Sequence, residues 1–221
     1  MSVARSLPAL DPARSVVEQL RERVAAMEHK PAAEPVPTLP GIAGLVHLHA
    51  GATYAVDSAS LALAMVAGAS RAGEWVGFAG CADFGAEAAA ELGIELSRTV
   101  LVPDPGEHWL EVTAALVDVL RVVVLRPPAA VSERTAGILD SRLRTRSAVL
   151  VVHGQWPRVE ARLSIEQSCW SGPAFGTGQL QERRARVVVH RGSRPPARAD
   201  VSWPGVRRID APVHEIRRVS G

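Results

Sequence analysis

The chain has 221 residues, of which 47% are hydrophobic and 4% aromatic. This length allows one buried core with extended ends, and no apolar run approaches the roughly 20 residues of a membrane-spanning helix. The formal net charge of +2 hides an asymmetry, because residues 183–221 carry ten arginines against three acidic residues, whereas residues 1–182 have a net charge of −5. Cys81 and Cys169 are far apart and follow no secretory signal, which predicts a reduced, cytoplasmic protein.

An amphipathic helix is predicted over residues 11–29, with Asp11 as its N-cap and Pro12 at the first helical position. Its apolar residues share one face at helical spacing: Val16, Val17, Leu20, Val24 and Met27. A proline-rich linker over residues 30–40 separates the helix from the rest of the chain. The apolar stripe either packs on its own core or binds a partner, and both interpretations stay open. Residues 1–40 are therefore predicted to lie outside the core.

The next stretch predicts a short strand, a glycine turn and a helix. The apolar run Leu45–His49 is typical of a buried strand, residues 50–57 form a turn of small residues, and residues 58–69 form an apolar helix. Strand, glycine turn and helix in this order are the frame of a P-loop, whose backbone N–H groups hold phosphate at the helix N-terminus.

The chemistry of a P-loop is missing from this frame. A working P-loop places a lysine six residues after its first glycine, followed by serine or threonine; here Gly51 leads to Asp57 and then Ser58. Lys30 is the only lysine in the chain, so no shift of register supplies one. An aspartate repels phosphate, and the Asp–Ser pair is more simply explained as a helix N-cap. The sequence predicts a degenerate P-loop that holds no nucleotide.

Strands and helices then alternate along the chain. The predicted strands cover residues 74–80, 99–102, 121–125 and 148–153, and the predicted helices between them cover residues 87–92, 106–120 and 132–146. This order implies a mostly parallel sheet with right-handed crossovers. Two stretches of period two, residues 160–170 and 184–191, predict an antiparallel strand pair that extends the sheet. We expect a core over residues 41–192 and a basic, flexible tail over residues 193–221.

The order of elements and the run AAELGIELSRTVLVPDPGEHWLEVTAALVDVLRVVVL, residues 89–125, resemble the RecA recombinase core. The resemblance covers roughly residues 41–192. It implies an α/β, RecA-like fold with a mostly parallel central sheet flanked by helices and an antiparallel C-terminal strand pair. Within that superfamily, a short chain with a defective P-loop and an arginine-rich tail resembles the actinobacterial ImuA-prime type proteins, accessory factors of damage-induced mutagenic translesion DNA synthesis.

Two further departures from RecA concern catalysis. The strand ending at Leu125 should be followed by the Walker B acid that supports magnesium, but Arg126 stands there. The catalytic glutamate expected after the second strand falls near Gly80 and Cys81, where no acid is present. We therefore expect a protein without ATPase activity, cofactor or metal.

The resemblance also implies partners. These are an ImuB-type inactive homologue of Y-family polymerases and, through it, an error-prone DnaE-type polymerase and the sliding clamp. We also expect self-association, and we expect no interaction with a membrane. The function implied is that of a non-catalytic adaptor in the SOS response and DNA repair, acting through protein contacts.

The basic tail has two open interpretations. Its arginines could contact DNA phosphates, or the tail could fold onto a protein partner. Apolar residues recur among the arginines, which favours a protein partner. The candidate partner-binding residues in the tail are Trp203, Arg207, Arg208, Arg217 and Arg218. Trp156 and Trp170 are further interface candidates, because tryptophan is enriched at binding hot spots.

Alternative functions remain open from the sequence. One is a RecA relative that binds DNA or nucleotide weakly, and another is a SulA-like inhibitor of cell division, which genomic neighbourhood would distinguish. His47 and His49 are two residues apart on one predicted strand, but no further metal ligands are evident beside them. We interpret both as buried or edge histidines.

Overall fold

The computed structural model describes residues 35–171, 182–204 and 206–209. The chain divides into two compact units, Met1–Ala33 and Glu34–Gly221. The first unit lies outside the described residues, and with it the amphipathic helix predicted over residues 11–29. All the described residues belong to the second unit.

A nine-stranded sheet forms the centre of this unit, in the order β11-β10-β9-β8-β3-β7-β6-β4-β5. Its strands are β3 (Thr53–Val56), β4 (Val76–Ala79), β5 (Thr99–Val102), β6 (Val122–Leu125), β7 (Val149–His153), β8 (Ala161–Ser171), β9 (Glu182–His190), β10 (Ala197–Trp203) and β11 (Arg207–Ile209). All pairs from β8 to β5 are parallel, and those from β8 to β11 are antiparallel. A separate antiparallel pair joins β1 (Pro35–Val36) to β2 (Leu48–His49). The predicted α/β fold with a mostly parallel central sheet is confirmed.

Helices cover both faces of the parallel strands. They are α1 (Pro40–Ala43), α2 (Ala59–Arg71), α3 (Ala86–Glu91), α4 (Trp109–Val119) and α5 (Glu133–Arg146). Buried side chains of α2 and α3 pack on one face of the sheet, and those of α4 and α5 pack on the other. Strands buried on both faces read as continuous apolar runs, as in the fully buried β6. None of the helices in the described ranges has the length and apolar character needed to cross a bilayer.

The N-terminal boundary of the core differs from the prediction. Val36 and Leu39 are only 3% and 2% exposed and belong to the same core cluster as α2. Gly68 lets α2 approach this segment, because a Cβ atom there would lie 2.4 Å from Thr38 Cα. The core therefore begins ahead of residue 41, and the last part of the predicted linker is built into it.

The C-terminal boundary also differs, because the chain after residue 192 continues the sheet instead of forming a flexible tail. In β10, Ala199, Val201 and Trp203 are buried, and the strand pairs along its whole length with β9. The backbone of β11 adds a further antiparallel strand. Residues 210–221 lie outside the described part of the chain.

The strand expected at Leu45–His49 is a third correction. Residues 53–56, assigned to a turn by the sequence, form the central strand β3, while the preceding apolar run packs beside the sheet and contributes the short β2. Tyr54 connects the two segments, since its hydroxyl donates to His47 O and accepts from His49 N, both at 3.0 Å. Burial raises the pKa of Tyr54 to about 12, so the hydroxyl stays protonated at neutral pH.

Candidate functional site at the carboxyl end of the sheet

The carboxyl ends of the parallel strands meet at one edge of the sheet, where open α/β sheets bind their ligands. A cleft of about 510 Å³ lies at this edge. Its lining residues come from the ends of β3, β6 and β7 and from the start of β8: Val56, Asp57, Arg126, His153, Gly154, Gln155, Arg162 and Ser164. This is the position at which the resemblance to RecA implied a degenerate nucleotide site.

The connection between β3 and α2 consists of two residues, Asp57 and Ser58. Asp57 Oδ2 accepts a hydrogen bond from Ile165 N at 3.0 Å, next to an irregularity in the pairing of β8 with β9. Ser58 is the N-cap of α2, and its hydroxyl accepts from Leu61 N at 3.4 Å. The predicted N-cap role of Ser58 is confirmed. Both side chains are thus engaged in holding the strand end and the helix start.

Gly51 does not belong to this connection. It precedes β3, adopts a φ of +80°, and its N–H donates to Ala148 O at 2.7 Å. A Cβ atom at this position would lie 3.2 Å from Arg144 in α5. The prediction that Gly51, Asp57 and Ser58 share one degenerate P-loop turn is therefore wrong, because the four-residue strand β3 separates the glycine from the other two.

Arg126 directly follows β6, as the sequence predicted, and pairs with Asp83 in the loop after β4. Its Nη1 lies 2.9 Å from both carboxylate oxygens of Asp83. The hydrogen bond and charge of Arg126 lower the pKa of Asp83, so the carboxylate is ionised at neutral pH. The two side chains are about half exposed, and an exposed ion pair of this kind stabilises a fold only weakly.

His153 ends β7 and lines the cleft together with Arg126 and Asp57. Burial and the positive charge of Arg126 lower its pKa, while Asp83, the Asp57 carboxylate and a hydrogen bond with the Asp57 backbone act in the opposite direction. The imidazole is therefore neutral at pH 7. No role was predicted for His153 or Asp83, although each lies at or after the end of a strand, which was a usable signal.

Cys81 lies behind this edge, in a small apolar cavity shared with Phe78, Phe84 and His153. Burial raises the pKa of its thiol to about 11, so the reactive thiolate is scarce at neutral pH. In the ranges that the structure covers, no group of three or more His, Cys, Asp or Glu side chains could hold a metal ion. The titratable groups discussed at this edge are therefore the Arg126–Asp83 ion pair, the neutral imidazole of His153 and the protonated thiol of Cys81.

The tryptophans proposed as interface residues have different surroundings. Trp156 and Trp203 are 4% and 7% exposed, so neither offers its ring to a partner, whereas Trp170 is 48% exposed. The expectation that Trp203 forms a contact surface is therefore wrong. Its indole is buried because its strand is part of the sheet.

The structure describes only some of the other predicted partner-binding residues. The backbone of Arg207 and Arg208 belongs to β11, and their side chains lie outside the described part. Several candidates lie wholly outside it: Val16, Val17, Leu20, Val24, Met27, Arg217 and Arg218. Their assignment as partner-binding residues stays a prediction.

Two comparisons place the chain among known proteins. Residues 38–158 match the family described as the MT3502 N-terminal domain. The chain is also 34% identical over 187 residues to the uncharacterized protein Rv3395c of Mycobacterium tuberculosis, an alignment that covers 77% of this chain and 89% of the relative. The matched range runs from the segment before α1 to the loop after β7, so it includes Asp57, Asp83, Arg126 and His153 but not the cleft residues Arg162 and Ser164 of β8. The chain belongs to the MT3502 N-terminal domain family.

Proposed function

We propose that this protein is a non-catalytic, RecA-fold adaptor of damage-induced mutagenic translesion DNA synthesis, of the ImuA-prime type. Alternating parallel strands and helices with an antiparallel ending are the arrangement that the resemblance to RecA implied. The proposal places the protein beside an ImuB-type inactive polymerase homologue, in the SOS response.

The observation that carries the non-catalytic part of the proposal is the two-residue connection between β3 and α2. A P-loop needs a glycine-rich loop between strand and helix, so that successive N–H groups can surround phosphate. Asp57 and Ser58 leave no room for such a loop, and their side chains already accept backbone hydrogen bonds from Ile165 and Leu61.

A second observation concerns magnesium. The end of β6 carries Arg126, whose guanidinium is paired with Asp83. A cation at this position repels Mg²⁺ instead of coordinating it. The acid of the pair is neutralised by Arg126 and is not free to act as a ligand or base.

Partner capture in the presence and absence of nucleotide tests the proposal. The purified full chain is immobilised, and binding of the ImuB-type polymerase homologue is measured by interferometry without nucleotide and with Mg-ATP. The proposal predicts saturable binding with the same Kd in both conditions. Absence of binding contradicts the adaptor role, and a Kd that changes with ATP contradicts the non-catalytic one. If binding fails and the chain instead retains single-stranded DNA, the DNA-binding alternative replaces the proposal.

A further inference from the structure

Three side chains form a row across the antiparallel part of the sheet, next to the pair Ser171–Glu182 at which β8 ends and β9 begins. Trp170 pairs with Arg183, and Arg183 pairs in turn with Trp203. Directly opposed residues of neighbouring strands project from the same face. The guanidinium consequently lies between two indole rings, with its Cζ atom 5.8 Å from the centroid of each. This distance is within the range of cation–π attraction, which orients the guanidinium.

The polar atoms of Arg183 are only partly used. Its Nη1 donates to Ser60 Oγ at 3.0 Å, close to the start of α2. Its Nε is buried and without a hydrogen-bond partner. Within the described residues, no carboxylate pairs with this guanidinium, and Nη2 makes no hydrogen bond. A buried donor or charge without a partner is costly. Because Nε is enclosed, the end of the guanidinium formed by its two Nη groups is the part suited to an incoming acceptor.

Neighbouring arginines on the opposite face of the same strands are already paired. Their ion pairs are Arg184 with Glu182 at 3.0 Å, Arg186 with Asp200 at 2.9 Å, and Arg198 with Glu166 at 3.3 Å. Arg183 thus differs from its neighbours, since it is held by aromatic rings instead of by an acid.

We propose that Trp170, Arg183 and Trp203 form a recognition site for a carboxylate side chain in an acidic segment of a protein partner. The two Nη groups of the planar guanidinium fit the two oxygens of a carboxylate. Trp170, half exposed, provides apolar surface beside the charge. Tryptophan and arginine are the residue types that dominate binding hot spots. The Trp203 ring is buried, and its contact with the Arg183 guanidinium helps to fix the orientation of that group.

The surrounding charges favour a single carboxylate over a nucleic acid. Binding to a phosphate backbone depends on several unpaired cations that release counterions together. Here the three arginines on the opposite face are already neutralised by acids, and Arg183 is recessed between two rings. This inference rests on the proposed function only for the identity of the protein that supplies the acidic segment.

Side-chain NMR of the full chain tests the site without the partner. The probe is the capped peptide acetyl-Phe-Asp-Leu-amide, and its control is the same peptide with Asn in place of Asp. The Arg183 Nε–H and Trp170 indole signals should shift saturably with the Asp peptide and not with the Asn peptide. Failure of the Asp peptide to shift them, or an equal response to inorganic phosphate, overturns the carboxylate assignment. A response to oligo(dT) at lower concentration than to the peptide overturns it in favour of nucleic acid.

Variants of the full chain give the second readout. Arg183→Gln should weaken binding of the ImuB-type partner by about tenfold or more, as truncation of a hot-spot residue does, and should abolish the peptide response. Trp170→Ala, at an exposed position, should weaken both without affecting folding. Arg184→Gln is the matched control, since Arg184 is adjacent in sequence, faces the other side and is paired with Glu182.

The outcomes separate the two proposals. If Arg184→Gln weakens binding as much as Arg183→Gln, or if both Arg183→Gln and Trp170→Ala bind as the wild type does, the site is elsewhere. If the wild-type chain shows the peptide response but does not bind the ImuB-type protein, the proposed function fails and the carboxylate site stands. Thermal melting of each variant verifies that a loss of binding is not a loss of fold.

Discussion

Three side chains at the carboxyl edge of the sheet are occupied in ways that oppose phosphate binding. Asp57 accepts the Ile165 N–H, Arg126 is paired with Asp83, and His153 is neutral because burial and Arg126 lower its pKa. Each interaction connects the end of one strand to a neighbouring element. At the residue scale, these side chains therefore make internal contacts at the edge where other open sheets bind their ligands.

The lowered pKa of His153 predicts a pH-dependent stability. The folded state binds fewer protons than the unfolded state below the ordinary histidine pKa of about 6.5. The contribution of the neutral imidazole is therefore fully present above that pH and is lost as the pH falls towards the folded pKa. Substitution His153→Gln should make the free energy of unfolding fall less steeply between pH 7.5 and pH 5.5, which denaturant melts at several pH values measure.

The matched control for this prediction is His190→Gln, at an exposed position on β9. The slope of stability against pH should stay as in the wild type in this variant. An unchanged slope in His153→Gln, or an equal change in both variants, would show that His153 is not the group responsible.

At the scale of single elements, α2 packs against the N-terminal segment through Gly68. An added Cβ would lie 2.4 Å from Thr38 Cα and 2.6 Å from Pro37 O, which are backbone atoms that cannot move aside freely. Gly68→Ala should therefore lower the free energy of unfolding by about 1–3 kcal/mol, the usual cost of overpacking. Chemical denaturation monitored by circular dichroism measures the change.

Gly137 in α5 provides the control, because a Cβ there would meet no atom within 4 Å. Gly137→Ala should raise stability by about 0.5–1 kcal/mol, since alanine is the better helix former. If Gly68→Ala stabilises the protein as Gly137→Ala does, the segment over residues 35–39 is not packed on α2 as described.

The parallel strands and their helices could be predicted from the sequence, because each buried strand is a short apolar run between amphipathic or alanine-rich helices. Val122–Leu125 is an example, expected at residues 121–125. The central strand was misplaced, since both Leu45–His49 and Thr53–Val56 suit a strand and the choice depends on what each packs against. The period-two pattern of Ala197–Trp203 was present but was obscured by flanking prolines and arginines.

The candidate site was predictable only where it depends on local sequence. Arg126 follows an apolar strand and Ser58 precedes an apolar helix, so both positions could be assigned. Asp83, His153 and Asp57 come together at one edge because of the order of strands in the sheet, and local sequence patterns do not specify that order. The row formed by Trp170, Arg183 and Trp203 depends in the same way on the register of three strands.

At the scale of the whole molecule, the boundaries of the folded unit give a further prediction. A fragment over residues 34–221 retains Val36, Leu39, β10 and β11 and should unfold cooperatively with heat. A fragment over residues 41–192 loses these parts and leaves the hydrogen-bonding edge of β9 unpaired, so it should be insoluble or should melt without a cooperative transition. If the two fragments melt with equal cooperativity, the core boundaries predicted from the sequence, residues 41 and 192, are correct.

Titration calorimetry of the full chain with Mg-ATP tests whether the carboxyl edge of the sheet holds a nucleotide. A RecA protein measured under the same conditions is the positive control. The two-residue β3–α2 connection and the Arg126–Asp83 pair predict no heat of binding beyond dilution. A dissociation constant in the micromolar range, or ATP turnover that Ser58→Ala abolishes, would contradict the account.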